Sequence, residues 1–424
     1  MKKIVVAGAS TYGVKNLGDD AMFCNLVEGL RRNLQDCEIT FLARHPDPQF
    51  DEAFGVRSIK NFEHDSKAQS IGRWFHGFNP GDSGDHFLPI RHAIESCDLL
   101  VIGGNSFMEV SESDFLRGVV SYSALLATWA QLFQKPYVLY GVAAHPLEGN
   151  LTKQLARFLC GNAEIVTVRE EYTKEQLVKA GVEGVNICVL ADPAFGLDPN
   201  WDQEQAMAIL CQEKITLSGK PLIGIGFRHM YWKWSDVEAN NYAAKMGKLS
   251  DFMIKEFDAE LLFIPNCTYQ VDTPNEDDRV IAEAVRGHME EPHKAHFIRG
   301  EYQLKHILSL FPLLSLHVSN RRHSCIFAAL HRVPIVSMGA GNLWHFNPFL
   351  EVLGVPEQVM NFTEGDLESL KETLAASWEN RDNISGKMSE KLLSLRHYAH
   401  QHTELLAKLI GDPQLSSAGA SIGI

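Results

Sequence analysis

The chain has 424 residues, 45% of them apolar and 22% charged, and a formal net charge of −14. That length exceeds what one hydrophobic core sustains and predicts two domains, and the composition is that of a folded globular protein. The acidic balance excludes a general binder of nucleic acid or anionic membrane, since both need an extended basic face, so an anionic substrate would be met by a local group of Arg and His.

The opening Met1-Lys2-Lys3 before Ile4-Val5-Val6-Ala7 imitates a signal peptide, but the apolar stretch is short and Lys15, Asn16, Asp19 and Asp20 soon follow. A first strand over Lys3–Ala7 and a cytoplasmic location are therefore expected. No run approaches the ~20 apolar residues of a membrane span. Phe23, Leu26, Val27, Leu30 and Leu34 recur at helical spacing and predict a helix capped by Asp19. Further strands are expected at Glu38–Leu42, Asp98–Gly103, Pro136–Gly141 and Glu164–Val168. Residues 61–92, rich in Gly, His, Asp and aromatics without periodicity, read as a loop or lid.

The stretch Asp192–Pro199 carries Pro and Gly at turn-like positions and marks a domain boundary. Beyond it, strands are expected at Pro221–Gly226, Leu261–Pro265, Leu314–Ser319 and Pro334–Gly339. Asp366–Ile410 reads as mostly helical and Gln414–Ile424 as a disordered tail. Alternating strands and helices predict an α/β fold of two Rossmann-like domains, 1–195 and 200–385, with a C-terminal helix and tail over 386–424. Open parallel sheets bind ligands beyond the carboxyl ends of their strands, so the active site is expected in the interdomain cleft. The eight cysteines are scattered without a CxxC pair and read as buried reduced thiols.

Four segments directly after strands carry the chemistry. Gly13–Ala21 places Asn16, Gly18 and Asp19 between strand and helix, where glycine admits a ligand; a tight turn explains the pattern as well. Gly103-Gly104-Asn105 suits either backbone contact with a ligand or close packing. In Thr167–Glu171, Arg169 can hold a carboxylate or phosphate, or pair with a neighbouring Glu. Ser319-Asn320-Arg321-Arg322-His323-Ser324 leads into an apolar helix, so two guanidinium groups and an imidazole stand at a helix start that favours an anion; a basic turn solvated at the surface is the rival reading, set against tightly apolar flanks. Arg228 ends another strand, and Tyr231–Trp234 beyond it could stack on a sugar or pack a domain face. His288, His293 and His296 stand among Glu290, Glu291 and Lys294 and read as a solvated loop rather than a metal site.

The order of these segments resembles the polysaccharide pyruvyl transferase family. Its Asn-x-Gly-Asp loop is matched by Asn16, Gly18 and Asp19, its glycine-rich loop by Gly103 and Gly104, and its Val-Arg-Glu segment by Val168–Glu170. Asp192–Phe195, then Ser319, Arg321 and His323 of a Ser-x-Arg-x-His segment, and a Val333-Pro334 turn complete a match over residues 4–340. The resemblance implies a GT-B-like fold and transfer of pyruvate from phosphoenolpyruvate onto a saccharide as a ketal, in polysaccharide or cell-surface glycan biosynthesis.

Residue by residue, the family's catalytic groups fall on Arg321, His323 and Arg169. The scheme gives His323 the general acid role and the two arginines the donor anion, and needs no metal or cofactor. Expected substrate contacts are Asn16, Gly18, Asp19, Gly103, Gly104, Asn105, Arg228, Ser319 and Arg322. The implied partner is a saccharide acceptor, lipid-linked or free, and a homo-oligomer is compatible. Two departures from the family pattern stand out: Arg322 where Leu is usual, and Ser337–Asn342 where a Lys is expected after Pro334. Rival readings are a nucleotide-sugar glycosyltransferase of the same architecture and a non-catalytic carbohydrate-binding or assembly protein.

Overall fold

The computed structural model describes residues 1–8, 15–61, 88–104, 106–110, 119–199, 202–230, 235–269, 276–341 and 343–411. Two compact units result: Met1–Val14, Asp19–Leu197 and Leu395–Ile424 form the first, and Lys15–Gly18 with Asp198–Ser394 the second.

Unit 1 is built on β1 (Lys2–Ala7), β2 (Cys37–Ala43), β3 (Arg57–Lys60), β4 (Leu99–Gly103), β5 (Ser106–Phe107), β6 (Tyr137–Ala144), β7 (Ile165–Val168) and β8 (Ile187–Val189). They form a parallel sheet in the order β3-β2-β1-β4-β6-β7-β8, with β5 beside β6. Every residue of β4 and β6 is buried, as strands covered on both faces must be. Strand alternation divides the core into two layers. Val5 and Leu100 pack with Ile90, Ile94, Leu126 and Leu159. Ile4, Val6 and Val101 pack with Phe23, Leu26, Leu30 and, from the C-terminal helix, Leu405 and Leu406.

Unit 2 holds β9 (Leu222–Gly226), β10 (Glu260–Phe263), β11 (Ala295–Phe297), β12 (Leu316–Ser319), β13 (Ile335–Gly339) and β14 (Val359–Asn361), all parallel in the order β11-β10-β9-β12-β13-β14. The order reverses between β9 and β12, which opens the crevice where doubly wound sheets take ligands.

The structure departs from the expected elements in three places. The first helix runs Leu17–Asn33, so Asp19 lies in its first turn instead of capping it. Asn16 does that work: its side-chain oxygen accepts the Gly18 N–H at 3.1 Å. Within the expected 61–92 loop, Leu88–Ser96 is helical, burying Ile90 and Ile94 on one side, and residues 62–87 lie outside the described residues. His296, placed in a solvated loop by the sequence, belongs to β11. Asp366–Ile410 is two helices, Leu367–Glu379 and Arg381–Gly411, and the tail Gln414–Ile424 lies outside the described residues. No helix among the described residues is long and apolar enough to cross a membrane.

Candidate active site

At the reversal point of unit 2, the two strand ends are sewn together by side chains. Ser319, fully buried at the end of β12, donates to the Gly226 carbonyl at 2.7 Å and accepts the Arg321 N–H at 2.9 Å. A Cβ on Gly226 would stand 2.6 Å from the Ser319 hydroxyl, so only glycine fits there. Asn320 clamps the backbone of Arg228 from both sides: its oxygen accepts the Arg228 N–H at 2.6 Å, and its amide donates to the Arg228 carbonyl at 3.0 Å. The helix Arg322–Leu330 starts immediately beyond, with Arg321 at the N-cap.

Arg321 is buried and bound edge-on by Asp278. Its Nε lies 3.2 and 3.1 Å from the two carboxylate oxygens, and its Nη2 donates to Oδ1. Asp278 also accepts the N–H groups of Asn266 and Cys267, at 3.0 and 2.9 Å. Asn266 in turn donates its side-chain amide to the Asn16 oxygen at 3.2 Å and accepts the Leu17 N–H at 2.9 Å. Asn16 and Cys267 form an antiparallel bridge. These bonds carry the Asn16–Gly18 segment to the start of the helix, where a Cβ on Gly18 would stand 2.2 Å from Nδ1 of half-buried His323. Asn16, Gly18, Arg321 and His323 therefore meet at one place within unit 2.

Neighbouring titratable groups are held in one state. Burial pushes the Cys267 thiol up to about 11, against the smaller opposing pull of Arg321, so it carries no thiolate at neutral pH. Burial, and then Asp278, raise the Tyr242 phenol that lies 3.3 Å from the Asn320 amide. His317 beneath the site is fully buried, its ring 2.8 Å from the Ser324 hydroxyl, and burial pushes it down to about 3. Among the described residues, no three His, Cys, Asp or Glu side chains gather as a metal ion would require.

In unit 1, Arg169 donates to the Gly141 carbonyl at 2.6 Å and to Asp192 at 3.3 Å, both side chains being buried. The other Asp192 oxygen accepts the Ala194 N–H at 3.0 Å, so the pair fastens the Asp192–Phe195 turn. Behind it, His402 lies 2.8 Å from the Ala191 carbonyl and 2.7 Å from the Thr167 hydroxyl. A carbonyl only accepts, so Nε2 carries the proton and Nδ1 accepts from Thr167. Gly103 and Gly104 meet an internal demand: a Cβ on Gly103 would stand 2.5 Å from the Tyr140 carbonyl, and Gly104 has a φ of +73°. Asp19 is buried in the first turn of its helix, and Asn105 lies outside the described residues, as does the aromatic run Tyr231–Trp234.

A model of the polysaccharide pyruvyl transferases matches residues 16–342, from the Asn16 loop to just past β13. The chain belongs to that family. The transferase is 22% identical to the amylovoran biosynthesis protein AmsJ of Erwinia amylovora over 392 residues, 87% of this chain and 89% of AmsJ. Among solved structures, the UDP-GlcNAc 2-epimerase of Methanocaldococcus jannaschii superposes with a TM-score of 0.59 at 12% identity, covering 96% of this chain and 99% of the epimerase. Anabaena HepE, solved with UDP and glucose, superposes with a TM-score of 0.58 at 12% identity, over 99% of this chain and all of the other. At such identity these likenesses speak for the fold alone, which is GT-B-like.

Both departures of the transferase from its family pattern have a local structural setting. Arg322 is buried with its guanidinium 5.2 Å from the centre of the Phe349 ring, a cation over an aromatic face. After β13, the Gly341 N–H and carbonyl are both held by the Asn361 side chain, at 3.1 and 2.8 Å. Three residues that matter to this arrangement carried no signal by sequence motif: Asp278, Asn266 and His402. Asp278 follows Asp277 at a helix start, where a cap is the ordinary explanation, and nothing local links it to Arg321.

Proposed function

We propose that this transferase moves pyruvate from phosphoenolpyruvate onto two hydroxyls of a saccharide, as a ketal, in polysaccharide or cell-surface glycan synthesis. The family match over residues 16–342 carries the reading. Similarity along most of the chain to a protein of amylovoran biosynthesis supports a place in exopolysaccharide assembly. Eight thiols without a disulfide are in keeping with a cytoplasmic reaction.

The chemistry needs an anion held, a proton delivered and a leaving group released. His323 delivers a proton to the methylene carbon, which becomes the methyl group. One acceptor hydroxyl adds to the adjacent carbon and a second closes the ketal as the bond from that carbon to the phosphate oxygen breaks. Of the two hydroxyl protons, one replaces that taken from His323 and the other leaves with inorganic phosphate. Arg321 at the helix start binds the donor anion, where N–H groups already favour negative charge. Ser319 and Asn320 hold the strand ends on which Arg321 and Arg228 are mounted. No metal or cofactor enters the scheme.

The test is turnover with phosphoenolpyruvate and a panel of saccharides, lipid-linked and free, read by phosphate release and acceptor mass. Phosphate release with one pyruvate ketal added to an acceptor is expected. Release of UDP from UDP-sugars, with none of phosphate from phosphoenolpyruvate, would transfer the assignment to a glycosyltransferase. No turnover with either donor would leave a carbohydrate-binding role.

A further inference from the structure

We infer that Asp278 is a positioning residue of this reaction, setting Arg321 directly and the Asn16–Gly18 segment through Asn266; the inference rests on the function proposed above. Asp278 is the first residue of the helix Asp278–Arg286, and the capping of that helix is already done by Asp277, whose side chain accepts the Arg279 N–H at 2.9 Å. The Asp278 side chain serves other groups. Its carboxylate, almost fully buried, takes Nε and Nη2 of Arg321 and the N–H groups of Asn266 and Cys267. Four donors match the roughly four acceptor positions of a carboxylate, so each fixes the others.

Two consequences bear on the donor site. A bidentate carboxylate locks the plane of a guanidinium, so Arg321 meets an anion in one orientation rather than searching several. The same carboxylate orders the Asn266–Cys267 turn, and Asn266 holds Asn16, whose oxygen receives the Gly18 N–H beside His323. One buried acid thus sets both the anion-binding group and the backing of the proton donor.

The experiment measures phosphoenolpyruvate affinity by calorimetry, with melting temperature alongside, for the intact chain and for Asp278→Asn, Asp277→Asn, Arg321→Ala and the Asp278→Asn/Arg321→Ala double variant. Asp278→Asn should raise Kd by roughly 10- to 100-fold, about what one charge-assisted hydrogen bond to the anion is worth when its guanidinium is misplaced. Asp277→Asn, which keeps a cap and the Arg321 contact but loses the ion pair with Arg279, should lower the melting temperature and leave Kd unchanged. In the Arg321→Ala background, Asp278→Asn should add little to the loss of affinity. Should Asp278→Asn not fold, Asp278→Glu keeps the charge pair, displaces the guanidinium by about one methylene, and should raise Kd likewise. An unchanged Kd in a folded Asp278 variant, with only its melting temperature lowered, overturns the inference and leaves the proposed function standing. Absence of phosphoenolpyruvate binding by the unaltered protein overturns the proposed function, and this inference with it.

Discussion

Gly18→Ala is the sharpest probe of the site because its effect has a sign that backbone chemistry alone would reverse. Gly18 sits in the first turn of the helix Leu17–Asn33 and is not among the positive-φ residues. An alanine in an unobstructed helix would stabilise it by up to about 1 kcal/mol. Here the added Cβ would lie 2.2 Å from Nδ1, 2.5 Å from Cγ and 2.7 Å from Cβ of His323. Ordinary carbon contacts lie near about 3.5 Å, so the two must separate by roughly 1 Å. Turning the imidazole does not suffice, because no χ rotation moves the His323 Cβ; one backbone segment has to shift. Overpacking of this kind costs about 1–3 kcal/mol. If His323 delivers the proton, a displacement near 1 Å should lower turnover by about 10²-fold. Phosphate release from phosphoenolpyruvate and thermal melting, measured on the same preparation, read both effects. A Gly18→Ala enzyme that melts at or above the unaltered protein and turns over normally would refute the packing argument and the role of His323 built on it.

His323→Ala should lower turnover by roughly 10²–10⁴-fold while donor affinity falls less, because Arg321 still holds the anion; full activity in the folded variant ends the assignment. Arg169→Met leaves Asp192 buried without its guanidinium and should cost about 3–5 kcal/mol in denaturant unfolding, whatever its effect on the donor. Stability should also fall with acid: burial holds His317 down to about 3 and His402 to about 4, whereas unfolded imidazoles titrate near 6.5. Their contribution is complete above about pH 6.5 and is lost as pH drops toward the folded values, because there the unfolded chain binds more protons. Melting followed across that range should show the decline, at up to about 1.4 kcal/mol per unit for each residue, and His402→Gln should flatten it.

How much of this was readable beforehand follows from what each residue is asked to do. The interior strands declared themselves as apolar runs because both their faces are covered. β3, β8, β11 and β14 did not, and they stand at the ends of the two strand orders. They have three or four residues and are partly exposed, so no long apolar run was required of them. Arg321 and His323 were conspicuous because a solvated basic turn fits poorly between the tightly apolar stretches Leu314–Val318 and Ile326–Leu330. Asp278 was silent because its partner Arg321 is 43 residues distant along the chain, and an acid at a helix start needs no further explanation.

The membership of Lys15–Gly18 in unit 2 bears on how this protein can be divided. A fragment covering 198–394 would contain Arg321, His323 and Asp278 yet be missing four residues that lie about 180 positions earlier in the sequence. Asn266 would lose both its bond to Asn16 and the Leu17 N–H that its carbonyl accepts. The interval would look complete by its strand count and still be a broken site. Shuffling that treats the halves as interchangeable cassettes would sever this stitch, so exchanges between relatives should carry Lys15–Gly18 together with Asp198–Ser394.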